Sequence, residues 1–411
     1  MGRARRAVVG ACAAAVLAPV AAAGCTAGPG DGGGKAGEKS SEHADARTDA
    51  RAAARKSTSA HLIGDGSTAW TGAQPAQPRV RTLAPGEKPP QFVVFSWDGA
   101  GETGDGLFQH FREIGRRYDA AMTYFLSGIY LLPESKRSLY EPPGHAPGAS
   151  DIGLLSDAHI EETVDQVRGA WLDGSEIGTH FNGHFCGPTG VASWSKEEWK
   201  SEIAQAKQFV KRWKTHTGMR DAAPLPFDYD KELTGARTPC LEGADNLRAA
   251  ARELGWRYDT SGVSEQVWPA KEDGLWDLSM QLVPYPGSDR EELTMDYNFK
   301  VNPLTTPANA QSQMRDGLLA GFRRAYTGNR APLIVGNHFE TWHDGAYMRA
   351  VEETIKEVCP REDVRCVSFR QLADWLDAQD PRTLRALRGL EVGQAPEGGW
   401  GTLGRRGSGV Q

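Results

Sequence analysis

Three stretches of this sequence end an apolar run on a group that can carry charge or bind an ion. "VVFSWDG" stops at Asp98, "SEIGTHFNGH" delivers His180 and His184, and "APLIVGNH" stops at His338. A buried carboxylate is costly unless it reaches water or meets a cation. In parallel α/β architectures the carboxyl ends of the strands share one rim, so residues distant in sequence converge there. The H-x3-H spacing of His180 and His184 lets two imidazoles reach one ion from a tight loop or helix turn. With Asp98 they form a set of two nitrogens and a carboxylate that leaves positions open for water. That is a catalytic rather than a structural metal set.

The surrounding pattern predicts the frame that must hold these groups. Strands are expected at "QFVVFSW", "AMTYFL", "SEIGTH", "WRYDT", "LWDLSMQLV", "APLIVGNH" and "DVRCVSF". Between them, apolar residues recur with helical spacing, as in Ile160, Val164, Val167 and Trp171. Ser195 and Glu198 stand in capping-box positions at the start of another helix. Strands alternating with helices from 91 to about 378 predict one α/β domain with a parallel core, a barrel or a doubly wound sheet.

The flanks read differently. "MGRARR" followed by a short apolar, alanine-rich run reads as a secretory signal over 1–24. It ends in "AAGC", which resembles a bacterial lipobox with Cys25 as the lipidated residue. Residues 25–60 are Gly-, Ala- and charge-rich and read as a flexible tether. Residues 61–90 form a lead-in, 91–380 the folded domain, and 381–411 a short helix and loose tail. The expected location is outside the cell, on the outer face of the membrane through the lipid alone, or secreted. A net charge of −6 argues against a nucleic-acid partner. Beyond Cys12 and Cys25, four cysteines remain in an oxidising setting. Cys359 and Cys366 are near neighbours, and Cys186 and Cys240 are the other natural pair; sequence leaves three connectivities open.

Taken in order, "FSWDG", "THFNGH", "ARTPC" and "LIVGNHF" resemble the motifs of the polysaccharide deacetylases of the NodB-homology type. "YDTSG", "NRAPLIVGNHFETW" and "VRCVSFRQLADWL" look most like the chitin-deacetylase-like branch. The resemblance covers roughly residues 90–380. It implies a distorted (β/α) barrel of about seven strands and hydrolysis of N-acetyl, or O-acetyl, groups on a cell-envelope or extracellular polysaccharide. Asp98, His180 and His184 would hold Zn²⁺ or another divalent cation, which polarises the acetyl carbonyl and acidifies water. His338 would protonate the leaving amine, tuned by Asp259 or Asp277. Arg237 would orient a carboxylate, and the Cys240 N–H would help hold the oxyanion. Trp342 would meet a sugar ring.

One position departs from the family. Where the family places its general base, this sequence has Trp97, which accepts no proton. Loss of a general base typically costs about 10²–10⁴ in rate. Glu102 or Asp105 could swing in as a substitute base, the ordinary reading of Glu102 being a solvated loop residue. The alternative function is a non-catalytic polysaccharide binder in which Trp97 fills the groove against the sugar.

Overall fold

The structure, a computed structural model, describes residues 60–403. The signal, Cys25 and the tether up to residue 59 lie outside the described residues. The compact unit begins at His61. A hairpin of β1 (His61–Ile63) and β2 (Thr68–Trp70) opens it. The central strands follow: β3 (Gln91–Asp98), β4 (Thr123–Leu126), β5 (Glu176–Thr179), β6 (Gly235–Ala236) and β7 (Tyr258–Asp259). After these come β8 (Val263–Ser264), β9 (Lys271–Glu272), β10 (Leu275–Asp277), β11 (Met280–Pro284) and β12 (Glu291–Leu293). The last two are β13 (Leu333–His338) and β14 (Val364–Cys366).

The order β13-β3-β4-β5-β6-β7-β10 is a ladder of seven parallel strands among the described residues. Antiparallel β9 edges it, and β14 pairs with the first residues of β3. The ladder is open. A three-stranded sheet, β12-β11-β8, approaches β13 through a single bridge between Met295 and Gly336. This is the expected distorted (β/α) barrel with fewer than eight units.

Around it lie α1 (Leu107–Arg117), α2 (Asp157–Leu172), α3 (Lys196–Lys211), α4 (Ala244–Glu253), α5 (Asp296–Val301), α6 (Ala310–Thr327), α7 (Trp342–Val358) and α8 (Phe369–Ala378). The predicted capping box at Ser195 and Glu198 forms at the start of α3. No helix among the described residues is long and apolar enough to cross a membrane.

Strand alternation divides the core in two. On β3, Val93, Phe95 and Trp97 join the large apolar layer beneath the helices. Phe92 and Val94 face the other way, into a barrel interior shared with Phe125, Tyr258, Ile334 and Phe369. Asp98 follows the interior parity. This overturns Trp97 as a sugar contact. Its ring is fully buried against Phe111 (4.7 Å), Phe339 (5.5 Å) and Tyr124 (5.6 Å).

Three segments differ from the sequence reading. "LWDLSMQLV" is two strands, because the chain leaves the barrel between β10 and β11. The lead-in is structural: the Trp213 Nε1–H donates to the Ser67 carbonyl at 2.8 Å, tying the first hairpin to the fold. The expected loose tail is packed as far as it is described. A helix over Pro381–Arg388 buries Leu384 and Leu387, and Trp400 and Leu403 lie against the interior cluster.

The orientation of Trp97 predicts that Trp97→Asp does not restore a base. It places a carboxylate among aromatic rings, so stability should fall by at least about 3–5 kcal/mol. Urea unfolding reads this directly. A variant as stable as the parent would contradict the assigned parity of β3.

Candidate active site

Asp98 ends β3 inside the barrel, almost fully buried, and its partner is Arg237 just past β6. The Arg237 Nη1 donates to Asp98 Oδ1 at 2.8 Å and to Ser96 Oγ at 2.9 Å. The Nε donates to the Thr260 carbonyl at 3.2 Å, and the Nη2 to Thr260 Oγ1 at 3.1 Å. The guanidinium carbon lies 5.1 Å from the Phe125 ring centre and 5.7 Å from that of Phe369. Gly336 on β13 leaves room for this side chain: a Cβ there would lie 3.1 Å from Arg237 Nη1 and 2.5 Å from Met280 Sδ. Burial pushes the Asp98 carboxyl up, but the positive charges around it, Arg237 first and His338 with it, together hold it below its ordinary value. Arg237 thus orients a carboxylate, as the resemblance implies, and that carboxylate is Asp98.

His180 follows β5 on the same interior parity. Its Nδ1 lies 2.8 Å from the Arg237 carbonyl, an acceptor, so Nδ1 carries the proton and Nε2 keeps its lone pair. Burial lowers its pKa to about 3, so the ring is neutral, as a metal ligand must be. The next residues form a strained loop, with Phe181 at φ 62° and His184 at φ 58°. Left-handed backbone at bulky residues persists where the surroundings enforce it, and functional loops are where it gathers. Here the Gly183 N–H donates to Tyr140 Oη at 3.0 Å, and Asn182 Nδ2 donates to the Glu202 carbonyl at 3.1 Å. The His180 and His184 rings come within 5.1 Å, centre to centre. Burial lowers the His184 pKa as well.

The donor set suits a divalent ion in type and protonation: two neutral imidazoles and an ionised carboxylate. It is gathered but not closed. Among the described residues, the one three-donor group whose ligand atoms all lie within 4.8 Å of one another is His184, Cys186 and Cys240. Those two sulfurs are joined in a disulfide, so they are not thiolate ligands. Asp98, His180 and His184 would have to draw together around an ion. Both expected disulfides are present: Cys186–Cys240 ties the histidine loop to the arginine loop, and Cys359–Cys366 joins the end of α7 to β14.

His338 is in register with Asp98 across β13 and β3. Its partner is neither Asp259 nor Asp277. Asp259 is taken by Ser261 and Arg248, and Asp277 by Ser279. Asp296, at the start of α5, accepts from the His338 Nδ1–H at 2.8 Å and from its backbone N–H at 2.7 Å. Burial alone would discharge His338. The Asp296 charge and hydrogen bond outweigh it and raise the pKa to about 9. Asp296 follows the apolar end of β12 in "EELTMD", so the strand-end rule that found Asp98 and His338 would have found it.

The remaining residues sort cleanly. Cys240 has left-handed backbone (φ 55°), and among the described residues its N–H has no backbone acceptor, which leaves it open as a donor. Glu102 is not in the site. It is buried in its own loop, with Oε1 accepting the Gly106 N–H at 3.0 Å. Asp105 is exposed and accepts the Leu107 N–H. Trp342 is half-buried, 5.7 Å from the His338 ring, with Lys300 Nζ 4.2 Å above its face. Tyr297 meets it edge-on at 6.0 Å.

No family model matches this sequence, and no curated protein does. Solved structures do resemble the chain. One is a candidate polysaccharide deacetylase of Mycobacterium smegmatis, 16% identical, with 73% of this chain and 96% of that one aligned at a TM-score of 0.45. Another is the Xyl-CE4 domain of a multidomain xylanase from the hindgut metagenome of Trinervitermes trinervoides (11%; 70% and 92%; 0.39). A third is a CE4 family pseudoenzyme of Bacillus anthracis (11%; 71% and 70%; 0.38). Likeness at these identities and scores fixes neither activity nor substrate.

The Asp296–His338 pair makes a pH prediction. The imidazolium is the acid form, populated below about pH 9 in the intact pair. Any activity that needs this acid should therefore hold up to about pH 9 and fall above it. In Asp296→Asn the raising influence is lost and burial dominates, so the falling limb should move to the ordinary 6.5 or lower. An unmoved limb in the pH–rate profile would show that His338 is not the titrating acid.

Proposed function

We propose that this protein removes acetyl groups from a polysaccharide by hydrolysis, with a divalent cation held by Asp98, His180 and His184. The observation that supports this most directly is the convergence of Asp98, His180, His184, Arg237 and His338 at the carboxyl ends of β3, β5, β6 and β13. The expected export and Cys25 lipid anchor would place the reaction on the cell envelope or outside it, with Zn²⁺ the first candidate ion.

The residues divide the chemistry between them. The bound ion supplies Lewis acidity toward the acetyl carbonyl and toward water. Arg237 keeps Asp98 ionised and fixed in direction. The Arg237 carbonyl holds the His180 tautomer, an outer contact whose loss typically weakens a metal site by about 10–100-fold. The Cys240 N–H is placed to donate to the oxygen that gains charge as the carbonyl carbon becomes tetrahedral. His338, kept protonated by Asp296, delivers its Nε2 proton to the leaving nitrogen as the C–N bond breaks. Trp342 offers an apolar face on which a pyranose ring can stack.

A second reading, polysaccharide binding without turnover, is favoured by one observation: Trp97 faces the helices, so β3 supplies no second carboxylate. The two readings separate by experiment. Acetate release is measured on N-acetylglucosamine oligomers and on O-acetylated glycans, alongside the metal content of the purified protein. The hydrolase should carry about one divalent ion per chain and release acetate. The double variant His180→Ala, His184→Ala should lose both. Equal metal in parent and variant would remove the proposed site, and sugar binding without acetate release would establish the binder.

A further inference from the structure

We propose that Tyr140 and Glu202 are positioning residues for the cation site: from beneath the histidine loop they fix Gly183, and through it the direction of His184. The proposal rests on the metal-site reading above. The contacts run in one line. Glu202, on α3, is fully buried. Its Oε1 and Oε2 accept from the Tyr140 hydroxyl at 2.9 and 3.1 Å. That hydroxyl oxygen accepts the Gly183 N–H at 3.0 Å. A second contact runs beside the first, from Asn182 Nδ2 to the Glu202 backbone carbonyl at 3.1 Å. Tyr140 is itself buried, and its ring packs against the loop: a Cβ on Gly183 would stand 2.8 Å from Tyr140 Cε1 and from its Oη.

The loop needs this support. Phe181 and His184 both hold left-handed backbone, which is strained at bulky residues. The chain is anchored on either side of Gly183. Before it, the His180 N–H donates to the Leu126 carbonyl at 2.9 Å, and the Phe181 carbonyl accepts the Gly128 N–H at 2.7 Å. After His184, the Phe185 ring stacks on His145 at 3.8 Å, and the Phe185 carbonyl accepts the Val191 N–H at 3.1 Å. Gly183 joins these two stretches and has no side chain to restrict its own backbone. Its carbonyl accepts the Asp151 N–H at 2.8 Å, and its N–H goes to Tyr140.

The chemistry of the pair gives a reason to bury a carboxylate here, where apolar packing would cost less. A tyrosine hydroxyl both donates and accepts, whereas an ionised carboxylate only accepts. Glu202 therefore takes the Tyr140 hydrogen and leaves the oxygen lone pairs to face the Gly183 N–H. Burial raises the Glu202 carboxyl to about 7, against the hydrogen bonds it accepts, so it is ionised above that pH. Burial and the Glu202 charge raise the Tyr140 hydroxyl, which keeps its proton.

The test is the zinc affinity of the full chain, measured by competition with a chromophoric chelator above the Glu202 value of about 7. Tyr140→Phe keeps the ring and removes the hydroxyl. It should weaken zinc binding by about 10–100-fold, the scale of outer contacts to metal ligands. It should also speed hydrogen exchange at the Gly183 amide. Glu202→Leu frees the hydroxyl by the other route and should weaken zinc to the same degree. Glu202→Gln keeps an acceptor for the Tyr140 hydrogen and should retain most of the affinity. Leu384→Ala lowers stability from the C-terminal helix, and its zinc affinity should equal the parent's. Unchanged affinity in Tyr140→Phe and Glu202→Leu overturns the proposal while the metal site stands. So does a loss that Leu384→Ala reproduces, or a Glu202→Gln that binds no better than Glu202→Leu. A parent that binds no zinc overturns both.

Discussion

The site is organised around one ion pair inside the barrel, Asp98 with Arg237. Both side chains are buried, so neither is solvated by bulk water, and each needs the other. Removing one partner of such a pair typically costs about 3–5 kcal/mol, because the remaining charge is left uncompensated. The pair also carries geometry. The Arg237 side chain fixes Asp98, while the Arg237 backbone carbonyl fixes the His180 ring. One residue thereby sets the direction of two of the three donors. Ser96 and Thr260 accept three more of the guanidinium N–H groups, and the Phe125 and Phe369 rings lie against it, so the arrangement is over-determined.

The same pair limits what the site can do. With Arg237 at 2.8 Å, the Asp98 charge is already balanced before any cation arrives. The His338–Asp296 pair is balanced too. A divalent ion would then bring two positive charges into a region where the buried carboxylates Asp98 and Asp296 are already paired. This fits a donor set that is gathered but not closed. The Cys186–Cys240 bridge ties the loop bearing His184 to the loop bearing Arg237.

Much of this was legible in the sequence, and the reason is parity. Strand ends in a parallel barrel project alternate residues inward, so a polar residue closing an apolar run marks the rim. That rule found Asp98, His180 and His338, and the ordered motifs supplied Arg237 and Cys240. It failed where a residue's own parity had to be known. Trp97 looked like a lost base beside the site, yet it belongs to the helix-facing layer with Phe111, Tyr124 and Phe339. Glu102 is close to Asp98 in sequence, but its loop folds it onto Gly106. Asp259 and Asp277 close β7 and β10, several strands along the ladder from the β13 that carries His338. Asp296 reaches β13 because β11 and β12 leave the main ladder and return beside it.

The central claim is that Asp98, His180 and His184 share one cation at the barrel rim. Anomalous diffraction at the zinc edge, on crystals grown with Zn²⁺, tests it most directly. The account predicts a single strong peak about 2.0–2.2 Å from an Asp98 oxygen and from one nitrogen each of His180 and His184. No peak among these three groups in zinc-grown crystals, with Asp98 still bound only to Arg237, would contradict it.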